Sequence, residues 1–281
     1  MPGVIGEEAT ALLARLEARI RPLGSAVVAL SGGVDSSVVL AAAARSLDLV
    51  LAVTARSPSL AAGEAEAAAA VAAHVGAPHR VIATGELTLE GYAANGRDRC
   101  FFCKDTLYGT LGDLAEREGY AAVVGGANAD DLGDWRPGLR AAERHGAVQP
   151  LADAGLGKPA VRAIAAHLRL PSADKPAAAC LSSRVAYGRR IDAALLARID
   201  RAEAGIRALG FPQLRVRHFG ELAKLEVPAA DLDRALSEDV RDAIAAVVRR
   251  EGWARVAIDL DGFRSGAMNA ADGGIGRLHA L

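Results

Sequence analysis

Cysteine, lysine and aromatic residues are all scarce in this chain, with three Cys, two Trp, five Phe and four Tyr among 281 residues. An odd number of thiols excludes a fully paired disulfide framework. The four lysines, Lys104, Lys158, Lys175 and Lys224, are greatly outnumbered by arginine. We attribute that bias, with the abundant alanine, to genomic base composition. No apolar run approaches the roughly 20 residues needed to cross a bilayer, and the start MPGVIGEEAT is too polar and acidic for a secretory signal. A cytoplasmic protein without membrane contact is therefore expected. A formal net charge of −1 and a pI near 6.6 argue against a general nucleic-acid surface, while leaving room for a local basic patch. A hydrophobic content of 51% is enough to build the core of one large or two modest domains.

Against those absences stands Ser31-Gly32-Gly33-Val34-Asp35-Ser36, which follows the apolar run 25–30 and opens an Ala-rich helical segment, 37–45. Glycines let backbone approach an oxyanion, and the first amides of the helix aim their donors at it. Asp35 beside phosphates demands a divalent cation, so Mg²⁺ is expected to bridge it to a nucleotide. There is no Walker spacing, since Gly155-Leu-Gly-Lys158 lacks it, and no dinucleotide fingerprint follows this strand. The stretch SGGVDSS resembles the loop of the N-type ATP pyrophosphatases, which split ATP between its α and β phosphates and adenylate a carboxyl or carbonyl oxygen.

Leu12, Leu13, Leu16 and Ile20 recur at helical spacing, predicting an amphipathic helix over 6–21. Apolar runs at 47–54, 78–83 and 121–125 read as buried parallel strands, alternating with helices at 62–75, 104–118 and 158–168. That alternation predicts a doubly wound α/β domain over residues 1–178, with its ligand at the carboxyl ends of the strands. Gly126, Asn128 and Asp131 fall in a second loop of that kind, beside Ser31, Gly32, Gly33, Asp35 and Ser36; Asp130 and Asp131 either help to hold Mg²⁺ or cap the next segment. The pattern changes near Lys175-Pro176. Helices at 193–209 and 240–250 with strands at 213–219, 221–227 and 255–260 predict a smaller α+β domain over 179–281.

Cys100 and Cys103 lie at a helix start in Arg-Cys-Phe-Phe-Cys-Lys, and i, i+3 spacing puts both thiols on one face. With Cys180 they suit a cubane iron-sulfur cluster, which tolerates three thiolates and leaves one iron open. Structural zinc would need a fourth ligand, such as His. The alternative is that the pair are small buried hydrophobes beside Phe101 and Phe102.

Together, SGGVDSS, RCFFCK at 99–104, the segment 126–138, CLSSR at 180–184 and RVRH at 215–218 resemble the LarE family of ATP-dependent sulfur transferases, which make the nickel-pincer nucleotide cofactor. The resemblance covers nearly the whole chain. It implies a PP-loop domain of the adenine nucleotide alpha hydrolase type and a smaller substrate-binding domain. The implied activity is ATP-driven adenylation of pyridinium-3,5-dicarboxylate mononucleotide, followed by sulfur transfer to give thiocarboxylates. Cys180 becomes ligand or sulfur donor, with a 4Fe-4S cluster on Cys100, Cys103 and Cys180. Ser183, Arg184, Arg215 and Arg217 become substrate contacts, Arg being suited to phosphate and carboxylate. Glu203 and Glu226 become candidates for ribose or a second metal, one of the two being expected to be a solvated carboxylate. The implied partners are the other enzymes of nickel-pincer synthesis and further copies of this chain, as in a hexamer. Two competing classes are a tRNA-thiolating pyrophosphatase, disfavoured by overall neutrality, and an ammonia-dependent amide-forming synthetase.

Overall fold

A computed structural model describes residues 2–133, 136–176 and 178–263. The chain divides into two compact units, Met1–Ala178 and Ala179–Leu281.

The first unit is a doubly wound α/β domain. Its strands β1 (Ser25–Ala29), β2 (Leu49–Arg56), β3 (His79–Ala83) and β4 (Ala122–Val124) form a parallel sheet in the order β3-β2-β1-β4. Helices α1 (Pro2–Ile20), α2 (Val34–Ser46), α3 (Glu64–Val75), α4 (Glu90–Ala93), α5 (Arg99–Glu118), α6 (Pro137–Arg144), α7 (Pro150–Asp153) and α8 (Lys158–His167) surround it. Alternation along β1 explains the layering, because successive side chains of a strand point to opposite faces. Ala26 and Val28 join a core with Leu16 and Ile20 of α1, Val38 and Val39 of α2, and Val161 and Ile164 of α8. Val27 joins the opposite core with Leu107, Leu111 and Leu114 of α5. A central strand buried on both faces reads as an unbroken apolar run, as residues 26–30 do.

Helix α5 begins at Arg99 rather than at 104. Turn bonds from the Arg99 N–H to the Gly96 carbonyl (3.1 Å) and from the Phe101 N–H to the Asp98 carbonyl (2.8 Å) start it early, so both Cys100 and Cys103 are helical.

In the second unit, β5 (Arg215–Phe219) pairs antiparallel with β6 (Leu222–Glu226), and β6 pairs parallel with β7 (Arg255–Ile258). Helices α9 (Ala193–Ala208), α10 (Leu232–Leu236) and α11 (Glu238–Arg250) complete the described part. Asp192 caps α9, accepting the Leu195 N–H at 2.8 Å. Val216, Ala223 and Leu225 are buried, as are Leu196, Ile199 and Ile206 of α9 and Ile244 and Val248 of α11. The intervening residues Arg215, Arg217, Lys224 and Glu226 fall on the other face of the strands.

Candidate active site

The turn after β1 is shaped for close approach. Gly32 has φ +72°, and a Cβ there would sit 3.0 Å from the Ala68 backbone nitrogen of α3. Gly33 caps α2 with extended backbone, leaving the first amides of the helix, which have no intrahelical acceptor, facing the loop. Ser36 braces the turn: its hydroxyl accepts the Ser31 N–H at 3.2 Å, lies 3.1 Å from the Ser31 hydroxyl and reaches the Gly33 carbonyl at 3.1 Å. The loop after β4 comes equally close, a Cβ on Gly126 meeting the Ser36 backbone nitrogen at 3.0 Å. Two loops from adjacent strands therefore enclose one helix N-terminus, at the point where strand order reverses.

Asp35, in the first turn of α2, accepts the Asn128 amide at 2.9 Å on one oxygen and the Lys158 ammonium at 2.5 Å on the other. Asn128 is fixed in turn, its backbone N–H donating to the Asp131 carboxylate at 3.0 Å and its side-chain Oδ1 accepting the Asp130 N–H at 2.9 Å. Asp131 also pairs with Arg136 at 2.9 Å, and Asp130 caps α8 by accepting the Lys158 N–H at 2.7 Å. Ser31, Gly32, Gly33, Asp35, Ser36, Gly126, Asn128 and Asp131 are thus brought together within the first unit. Sequence reasoning missed Lys175, whose ammonium donates to the Gly32 carbonyl at 3.1 Å and pairs with Glu64 at 2.8 Å. Its one signal was rarity, since a chain that otherwise uses Arg has few lysines to place.

Cys100 is exposed and Cys103 half-buried, one turn apart at the start of α5, and none of the three cysteines is in a disulfide. Exposure of Cys100 argues against a purely packing role. Among the described residues no group of three His, Cys, Asp or Glu side chains converges as a metal site.

In the second unit Cys180 is exposed and caps a short 3-10 turn, Leu181–Arg184. Arg184, only 2% exposed, donates to the Ala179 carbonyl at 2.5 Å, the Cys180 carbonyl at 3.0 Å and the Ser183 hydroxyl at 3.1 Å. Its remaining nitrogens form a bidentate pair with Glu203 at 2.9 and 3.1 Å. Glu203 also takes Arg207 at 2.9 Å and the Val216 N–H at 3.1 Å. Arg217 pairs with Glu226 at 2.8 Å and donates to the Ser183 carbonyl at 2.8 Å. Lys224 bridges Glu226 at 3.2 Å and Asp259 at 2.6 Å. Both Glu203 and Glu226 are buried, at 0% and 1% exposure, so the expectation that one would be solvated is corrected. A carboxylate that receives two cations no longer needs water.

Among the described residues of this cluster, Arg184, Arg207, Arg215, Arg217 and Lys224 face Glu203, Glu226 and Asp259, a surplus of cations. Arg215 feels it: burial, then the nearby Arg184, pushes its pKa down to about 10 against the pull of Glu203. It stays charged at neutral pH. His218, on the face opposite Arg217, is lowered to about 4 by burial and then by Arg198 and Arg189. Its Nδ1 accepts the Trp253 indole N–H at 3.1 Å, which fixes the neutral ring's proton on Nε2.

The pyridinium-3,5-bisthiocarboxylic acid mononucleotide synthase of Lactiplantibacillus plantarum is 36% identical over 258 residues, covering 91% of this chain and 93% of that one. The chain belongs to the LarE family. An uncharacterized protein of Synechocystis is 41% identical over 88% of this chain and 92% of its own. A second uncharacterized protein, from Methanocaldococcus jannaschii, is 33% identical over 61% of this chain and 66% of its own. A family model described as asparagine synthase matches residues 10–95, the segment holding the phosphate loop. As a LarE-family PP-loop protein, the chain is an ATP-using sulfurtransferase. No described helix is long and apolar enough to cross a membrane. Asp134 and Trp135, part of the 126–138 resemblance, lie outside the described residues.

Proposed function

We propose that this enzyme adenylates the carboxylates of pyridinium-3,5-dicarboxylate mononucleotide and converts them to thiocarboxylates, with sulfur carried on a 4Fe-4S cluster ligated by Cys100, Cys103 and Cys180. The observation that carries the reading is the cation-rich cluster built around the Cys180 turn. Arg184 grips the Cys180 carbonyl while Arg215 and Arg217 stand in the same cluster, which suits a multiply anionic substrate presented to a sulfur-bearing residue.

The chemistry requires activation because oxide cannot leave a carboxylate. A substrate carboxylate oxygen attacks the α phosphorus and pyrophosphate departs. A sulfur nucleophile then adds to the acyl carbon, and AMP leaves with the carbon–oxygen bond pair. The phosphate-loop amides and Ser31 bind phosphate oxygens. Asp35 fits Mg²⁺, which is usually held by one or two carboxylates together with substrate phosphates. Lys158 offsets the Asp35 charge and reaches the same region. Two thiols one helical turn apart, one of them exposed, fit a cluster, which would supply an open iron able to carry exchangeable sulfide. The chain's own part is to hold Cys180: Arg184 and Arg217 bond the carbonyls on either side of Leu181-Ser182. A cytoplasmic, homo-oligomeric enzyme acting beside the other enzymes of nickel-pincer synthesis completes the reading.

Iron and acid-labile sulfide measured on anaerobically purified protein test it. About four irons per chain, lost in Cys100→Ala and in Cys180→Ala, is the expected result. Folded, active protein without iron, losing one H₂S from Cys180 on turnover with ATP and substrate, would replace the cluster with a sacrificial cysteine.

A further inference from the structure

We propose that Lys175 is a positioning residue for nucleotide binding, which orients the Gly32–Gly33 peptide of the phosphate loop from the segment that leads to Cys180. The inference rests on reading this loop as the ATP site.

Across a trans peptide the carbonyl and the next N–H point in opposite directions. Fixing the Gly32 carbonyl therefore fixes the direction of the Gly33 N–H. Gly32 sits at φ +72° and, without a Cβ, has little intrinsic resistance to turning this peptide over. A reversed peptide would aim a carbonyl dipole at bound phosphate. The Lys175 ammonium opposes that reversal by holding the Gly32 oxygen at 3.1 Å, and is itself held by Glu64 at 2.8 Å, in the first turn of α3. On the other side of the peptide the Gly33 N–H meets the Ser31 hydroxyl at 3.3 Å, a long bond that a phosphate oxygen can displace.

Lys175 is not a free surface side chain. Its own carbonyl accepts Arg162 of α8 at 3.0 Å, the same guanidinium bonds the Ala173 carbonyl, and its N–H donates to Ser172 at 3.1 Å. The segment is anchored at its backbone, and its ammonium reaches into the loop. By linkage, if the Lys175 contact favours bound nucleotide, bound nucleotide must favour the Lys175 contact to the same degree. Five residues further on is Cys180. Under that linkage condition, filling the phosphate site tightens the segment 172–176 in the first unit.

The test titrates α,β-methylene ATP with Mg²⁺ into wild type, Lys175→Ala, Lys175→Arg and Glu64→Gln by calorimetry, and follows amide hydrogen exchange in residues 173–175. We expect Lys175→Ala to weaken binding about tenfold or more, as loss of a charged hydrogen bond should. Lys175→Arg should recover most of that loss and Glu64→Gln should show a smaller one. The analogue should slow exchange at 173–175 in wild type and not in Lys175→Ala, a readout that a merely structural salt bridge would not move. Wild-type affinity in folded Lys175→Ala overturns the proposal. If that variant does not fold, unchanged affinity in both Lys175→Arg and Glu64→Gln overturns it instead. Failure of wild type to bind the analogue overturns the ATP reading of the loop itself, a result distinct from a failure confined to the variants.

Discussion

The phosphate loop and the arginine cluster both look suited to anions, yet they are built in opposite ways. The loop offers backbone amides and a small polar frame, with two ion pairs beside it, Asp35–Lys158 at 2.5 Å and Glu64–Lys175 at 2.8 Å. The cluster commits at least five cationic and three acidic side chains, several nearly inaccessible, to one network. A site made of backbone binds through groups that the fold has already fixed and loses little structure when one side chain changes. A site made of buried charges is part of its unit's interior, so function and stability there cannot be separated.

The sharpest way to break that contrast is Glu203→Ala. It strands Arg184 and Arg207 and the Val216 N–H, and should cost the second unit about 3–5 kcal/mol in urea unfolding. Mg²⁺-nucleotide binding at the loop should be unchanged. If stability hardly moves, the cluster is not the structural element argued for above. Asp35→Asn should do the reverse: stability within about 1 kcal/mol of wild type, and pyrophosphate release slowed on the order of 100-fold or more. A variant that unfolds instead would mean that the loop, too, is a stability element.

A gentler probe is pH. His218 titrates near 4 in the folded unit and near its ordinary 6.5 when unfolded, so between those values the unfolded chain binds the extra proton. Stability is then fully present above about pH 6.5 and is lost as pH falls toward 4, by roughly 2 kcal/mol at pH 5 relative to pH 7. His218→Gln should flatten that slope. A slope equal to wild type would assign the acid loss to other groups.

The loop was legible because its chemistry is contiguous: SGGVDSS lies between an apolar strand and an Ala-rich helix, and backbone sites need only the right short sequence. The α/β alternation was legible for the same reason. The cluster was not. Arg184, Glu203, Arg217 and Glu226 are separated by up to 42 positions, and a charged residue on a periodic helix or strand looks solvated unless its partner is known. Family resemblance named these residues without revealing that they were buried and paired with each other. Lys175 escaped because a single lysine beside Pro176 forms no pattern. Helices α4 and α7, at four residues each, are too short to show a helical period.

Trp253 gives the second unit an optical handle. The sequence contains one other tryptophan, Trp135, so a Trp135→Phe chain would emit tryptophan fluorescence from Trp253 alone. That indole is 1% exposed, stacked by Arg198 at 3.8 Å and bonded to the imidazole of His218, which lies next in sequence to Arg217. Its emission colour reports whether the ring has met water, and its intensity responds to the proton on the neighbouring imidazole. The unit that holds the arginine cluster can thus be watched by wavelength and brightness while the phosphate loop is loaded or altered elsewhere in the chain.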